Sequence, residues 1–237
     1  MRVLFCSKHG ALLGLIYVAA LALLIGGGLA VLPEVMSEPA LAEAYRCGEA
    51  DSDEVSLSFN VDWGEEYLPD ILAVLAEKDV KASFFLTGRW CDNNPELAES
   101  IAAAGHELGN HGYSHASPNA SGEEEIVEEI ERTAESVRKA AGVTPRLYAP
   151  PAGEAEPHVL AAAARAGCET VLWSVDTVDW QKPDADTVLQ RVTAQLHGGA
   201  IILAHPTACT LEALPRIIDD ARAKGYRFVT VSENLGL

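Results

Sequence analysis

Gly105-His106-Glu107-Leu108-Gly109-Asn110-His111-Gly112-Tyr113-Ser114-His115 is a short apolar and glycine run that ends in two histidines four residues apart. Gly105 to Gly109 reads as a short strand, and the polar cluster follows at its C-terminal end. If Asn110 or a neighbour starts a helical turn, positions i and i+4 project from one face, close enough to share a metal ion. With seven histidines in 237 residues, such a pair carries weight only if other residues converge on it.

The same grammar recurs along the chain. Val55 to Val61 alternates and stops at Asp62-Trp63-Gly64. Val80 to Leu86 ends at Thr87-Gly88, Arg146 to Pro151 closes on prolines, and Glu169 to Val175 runs into Asp176-Thr177-Val178-Asp179-Trp180. Ala200 to Ala204 ends at His205-Pro206, and Phe228 to Val231 is a last strand. These runs have strand periodicity and turn boundaries. Between them lie helical patterns over Tyr67 to Lys78, Pro95 to Ala104, Glu123 to Ala141, Pro157 to Ala166, Ala185 to His197 and Leu211 to Lys224. Pro95 suits a first-turn position. The acidic stretch Glu123 to Glu131 reads as a solvated helix face.

Strand and helix alternate about seven times without hairpins, which predicts a parallel sheet with crossover helices. An open doubly wound sheet and a closed barrel both satisfy that order. Polar clusters follow five different strands, and only a barrel gathers all five strand ends into one ring. The expectation is therefore an α/β fold, an irregular (β/α) barrel of about seven strands.

Composition sets the setting. Ala11 to Leu32 is an uncharged run of 22 residues between Arg2 and Lys8 on one side and Glu34, Glu38 and Glu43 on the other. At about 1.5 Å per residue such a helix crosses a hydrocarbon core of about 30 Å, and the preceding basic residues keep the N-terminus inside. The expected organisation is a cytoplasmic N-terminus (1–10), a transmembrane signal-anchor helix (11–32), a linker (33–53) and an extracytoplasmic domain (54–237) at the cell membrane. A cleaved signal peptide ending near Ala42-Glu43-Ala44 is the competing reading, with a secreted product.

Without Arg2, Lys8, Glu34, Glu38 and Glu43, the exported part keeps 15 basic against 32 acidic residues, a net −17. That excludes nucleic acid as a partner, which needs a basic face. Cys47, Cys91, Cys168 and Cys209 lie in the exported part with no CxxC spacing. Disulfides and buried thiols are both open.

At the strand ends, His111 and His115 with one carboxylate make a hydrolytic metal site with open positions. His205 is a candidate general acid, with Asp179 as the buried carboxylate that sets its basicity. Trp180 could wall the pocket.

The order of these clusters resembles the polysaccharide deacetylase family, the NodB-homology carbohydrate esterases of family 4, over about Val55 to Val231. The resemblance implies a distorted (β/α) barrel that removes acetyl groups from chitin-like sugars or peptidoglycan. It implies a divalent ion, zinc first and cobalt or another ion as alternatives, on His111 and His115, with Asp62 as the candidate third ligand. It also implies His205 as general acid, Asp179 as its tuning partner, and Trp180 as a wall of the acetyl pocket. Trp63, Tyr148 and Pro150 are further candidates for substrate contact.

Two motifs depart from the family. Its first strand ends Phe-Asp-Asp-Gly, a general base and then a metal ligand, whereas this chain has Phe59-Asn60-Val61-Asp62-Trp63-Gly64. Asn60 stands at the base position, and an amide cannot take a proton from water near neutral pH, so the water must lose its proton to Asp62, to a neighbour such as Glu65, or to the metal-bound hydroxide itself. Val61 stands at the ligand position, and Asp62 one residue on would reach the metal across a bulge. The arginine that faces the base is Ala149 here. The two losses are coupled, because an arginine facing a neutral Asn60 would be a buried unpaired charge. Trp63-Gly64 and His205-Pro206-Thr207 resemble the divergent branch that includes sporulation-associated deacetylase-like proteins. The expectation is a slow metal-dependent deacetylase of N-acetylated glycans. The alternative is a membrane-tethered saccharide- or metal-binding protein without turnover.

Overall fold

Residues 43–237 are described by a computed structural model. In β1 (Glu54–Val61), Val55, Leu57, Phe59 and Val61 enter the main hydrophobic core, while Ser56, Ser58 and Asn60 take the opposite face. That alternation fixes which side chains reach the inside of the sheet. Both faces are buried, as the crossover helices of a parallel sheet require.

Every pairing between the named strands of the described residues is parallel. The remaining strands are β2 (Ser83–Leu86), β3 (Glu107–Asn110), β4 (Leu147–Tyr148), β5 (Glu169–Thr170), β6 (Val175–Asp176), β7 (Ile201–Ala204) and β8 (Arg227–Phe228). Their order is β5-β4-β3-β2-β1-β7-β6, with β8 pairing the start of β1. The sheet is an open half-barrel, because β5 and β6 do not pair with each other. The sequence suggests one strand over Glu169 to Val175. Instead its first part pairs with β4 and the stretch that follows pairs with β7. The two edges of the sheet are thus consecutive pieces of one segment.

The helices are α1 (Leu68–Glu77), α2 (Gly88–Asn93), α3 (Pro95–Ala103), α4 (Glu123–Ala141), α5 (Pro157–Arg165), α6 (Ala185–Gln195), α7 (Ala208–Ala223) and α8 (Val231–Leu235). Helix α3 begins at Pro95 as its sequence implies. Helix α2 is an addition, started by Thr87, whose side chain accepts from Trp90 N–H. The end of the chain is a correction. Val231 opens α8 rather than closing a strand, because Thr230 and Glu233 form a reciprocal capping box.

Part of the segment assigned to the linker packs on the sheet: Tyr45 bridges Val171 and Cys47 bridges Ala200. Among the described residues Cys47, Cys91, Cys168 and Cys209 are free thiols, all but Cys47 buried. No described helix is long and apolar enough to cross a membrane. The anchor expected over 11–32 lies outside the described residues.

Candidate active site

The C-terminal ends of β1, β3, β4, β6 and β7, with the segment between β5 and β6, line one cavity of about 400 Å³. It gathers Asn60, Asp62, Trp63, His111, His115, Trp180 and His205 from the residues expected there, and adds Ala152, Trp173, Asp176 and Leu203. Tyr148 and Pro150 are corrections. Tyr148 is buried against Ile126, Ile130 and Val159 in the layer beneath α4 and α5, and neither residue lines the cavity. The alternation of β4 sends Tyr148 outward, away from the site.

The histidine pair is joined by a turn and not by a helix. Gly112 and His115 both adopt left-handed backbone, at φ 75° and 60°, a conformation costly for the non-glycine residue. It brings the two imidazoles together edge to face, 5.0 Å between centroids. Glu129 of α4 stabilises the turn: one carboxylate oxygen accepts from Tyr113 N–H at 2.9 Å, Ser114 N–H at 2.7 Å and Ser114 Oγ at 2.9 Å. The acidic face of α4 is therefore not uniformly solvated.

His111 is buried, and burial with the neighbouring His115 pushes its pKa down to about 3. Neutral at ordinary pH, it donates Nδ1–H to Ala149 O at 2.6 Å. That bond leaves the Nε2 lone pair free, the tautomer a metal-binding imidazole needs.

Asp62 does not join the pair. Its Oδ1 accepts from Thr87 Oγ1 at 2.8 Å and from Arg89 Nη2 at 3.1 Å. Among the described residues no group of three His, Cys, Asp or Glu side chains is arranged to hold a metal ion. The donor set fits a divalent ion on two imidazoles and lacks the carboxylate that would complete it. Val61 turns into the core, so β1 supplies nothing from that position.

On the other flank, Asp179 is fully buried and His205 is partly exposed. His205 donates Nδ1–H to Asp179 Oδ1 at 2.7 Å and its backbone N–H to Oδ2 at 2.6 Å. Thr210, in the first turn of α7, also donates to Oδ2. The imidazole is thereby fixed in orientation, with Nε2 unengaged by the dyad. Trp63 lies parallel to it, 5.9 Å between ring centroids. The close approach depends on Gly64: at φ 86°, a Cβ there would sit 2.2 Å from Pro206 O.

Trp63 and Trp180 are 41% and 54% exposed, so they are available to a ligand, whereas Trp90 is core. Trp173 was not anticipated. Its indole N–H donates to Asp176 Oδ2 at 3.2 Å, while Asp176 Oδ1 accepts from Val178 N–H at 2.8 Å. Asn60 is 5% exposed and its Oδ1 has no hydrogen-bond partner.

Residues 48–171 match the polysaccharide deacetylase family. The chain belongs to that family. Within it, the chain is similar to YlxY of Bacillus subtilis, an uncharacterized protein, at 41% identity over 86% of this chain, and it spans 64% of that relative's length. It is 37% identical to a peptidoglycan-N-acetylglucosamine deacetylase of Bacillus cereus, over 78% of this chain and 69% of the relative. A solved structure of a CE4-family pseudoenzyme from Bacillus anthracis superposes with a TM-score of 0.79 at 39% identity, covering 81% of this chain and 68% of the other. A mutant of that pseudoenzyme is described as having restored enzymatic activity. The deacetylase family thus includes both working and silent relatives of this chain.

Proposed function

We propose that this chain is a metal-dependent deacetylase of N-acetylated glycans, of the peptidoglycan or chitin type, with slow turnover. The observation that carries the reading is the Asp179–His205 dyad. Simple glycan binding has no use for an imidazole held by a fully buried carboxylate with three donors. Protonated His205 gives its Nε2 proton to the sugar nitrogen as the C–N bond to the acetyl group breaks. Asp179 keeps the imidazole oriented through its two bonds to His205.

His111 and His115 would hold the divalent ion, zinc first, with cobalt or another ion as alternatives; such an ion supplies Lewis acidity toward the acetyl carbonyl. Trp63 and Trp180 offer faces against which a sugar ring packs. Asn60 cannot take the proton from the attacking water, which leaves Asp62, a carboxylate of the same cavity held by Thr87 and Arg89, as its poorly placed acceptor. A positioned base contributes about 10²–10⁴-fold, and the absence of one sets the expected rate. Residues 11–32 would anchor the domain outside the cytoplasmic membrane, in reach of cell-wall glycan.

Acetate release from N-acetylglucosamine oligomers and peptidoglycan, with zinc or cobalt added, tests the proposal. Metal-dependent release that His205→Ala abolishes supports it. Absence of release with glycan binding intact would establish the second reading, a binding protein that has given up turnover. That reading is favoured by Asn60, by Ala149, and by the incomplete metal donor set.

A further inference from the structure

Asn60 has lost the role of a base, yet its side chain lines the cavity with an acceptor that nothing in the protein satisfies. A buried amide oxygen left unpaired is destabilising, and any ligand that supplies an N–H removes that cost. The surroundings of Asn60 say which ligand. It shares the cavity wall with His111, whose ring is buried, and with Leu203. Ala149, in place of an arginine, belongs to an apolar cluster with Phe85, Leu147, Val171 and Ile201.

The two carboxylates that line the cavity are already engaged. Asp62 is held by Thr87 and Arg89. Asp176 is held by the Trp173 indole and the Val178 N–H.

A carboxamide is uncharged and presents both an acceptor and a donor, whereas an ionised carboxylate only accepts. An acetamido group is likewise uncharged, with one N–H and one carbonyl. The product of deacetylation is an ammonium group, which a carboxylate at position 60 would retain and a carboxamide does not. We propose that Asn60 makes the cavity a reader of acetylation state, retaining N-acetylated sugar and releasing the free-amine form. The inference rests on the glycan-binding part of the reading above and is independent of turnover.

The test is isothermal titration of the full-length protein in mild detergent, stripped of metal by a chelator. The ligands are tetra-N-acetylchitotetraose and its fully deacetylated counterpart. The wild type is expected to bind the acetylated tetramer about fivefold or more tightly, the scale of one or two neutral hydrogen bonds. Asn60→Ala weakens only the acetylated ligand and brings the ratio toward one. The near-isosteric Asn60→Asp tightens the deacetylated tetramer and lowers the ratio, and it decides the matter if Asn60→Ala does not fold. An unchanged ratio in a folded variant overturns the assignment of Asn60. Failure of the wild type to bind either tetramer overturns the glycan reading beneath it.

Discussion

Trp63 lies with its ring within 6° of the plane of His205, offset at 5.9 Å between centroids. The pair links the loop after β1 to the loop after β7, so the residue that walls the cavity also covers the candidate acid. Parallel aromatic pairs contribute about 0.5–1.5 kcal/mol beyond burial. Trp63→Ala is expected to reduce glycan affinity or acetate release by about three- to tenfold, without loss of fold. Titration with chitotetraose and a thermal melt read the two effects separately. Unchanged binding would remove Trp63 from the site.

Restoring the carboxylate should restore rate. Asn60→Asp is expected to raise metal-dependent acetate release by about a hundredfold, the low end of what a base contributes. Ala149→Arg alone should do the opposite to stability, because a guanidinium set among Phe85, Leu147 and Ile201 has no counterion. Its cost is about 3 kcal/mol or more. The double variant should recover most of that loss, and urea unfolding of the three proteins measures the coupling. Additive effects would show that the two positions do not face one another.

Glu129 is a positioning residue for the histidine pair. Removing its three hydrogen bonds to Tyr113 and Ser114 frees a turn that otherwise holds His115 at a left-handed φ. Glu129→Ala is expected to weaken zinc binding about tenfold, the scale found for residues that orient metal ligands. Glu129→Gln should recover part of it. Calorimetric zinc titration checks this, and equal affinities in all three proteins would deny Glu129 that role.

His106 predicts a pH dependence of stability. Its ring is 8% exposed, accepts Ala82 N–H at Nδ1 and packs edge-on to Phe84. Burial, aided by Lys81, pushes its pKa down to about 4 from 6.5. Between those values the unfolded chain binds the proton and the folded one does not, so stability rises with pH there. The contribution is complete above about pH 6.5 and about 3 kcal/mol is lost as pH falls to about 4. Urea unfolding at pH 7 and 4.5 should show that difference shrink in His106→Gln. An equal pH response in variant and wild type would assign the sensitivity elsewhere.

The order of strands and helices was legible because each crossover helix carries its own apolar stripe: Leu68, Ile71 and Leu75 in α1, or Ile126, Ile130 and Val137 in α4. The cavity residues at the ends of β1, β3, β6 and β7 followed from the same pattern. Tyr148 was misassigned because a two-residue strand gives no alternation from which to read its facing. The break between Thr170 and Val175 was hidden, since Val171 and Leu172 are as apolar as a continuous strand would be. Glu129 offered a faint signal that composition obscured. It shares a helix face with Ile126, Ile130 and Thr133, but it sits in a run of carboxylates. The competition of Arg89 for Asp62 needed the β2–α2 loop, and α2 itself has too short a period to detect.

The gap between β5 and β6 has a mechanical consequence. Through the paired strands, the one leading to His111 connects to those leading to Asp179 and His205 by way of β2 and β1, and the bridges of Tyr45 to Val171 and Cys47 to Ala200 are the second link. The imidazole pair and His205 therefore ride on separate flanks of the sheet, with β1 as the shared spine. The stretch from Tyr45 to Cys47 laces the seam through its bridges to Val171 and Ala200, and the spine shared by the two flanks is the strand that leads into Asn60, Asp62 and Trp63.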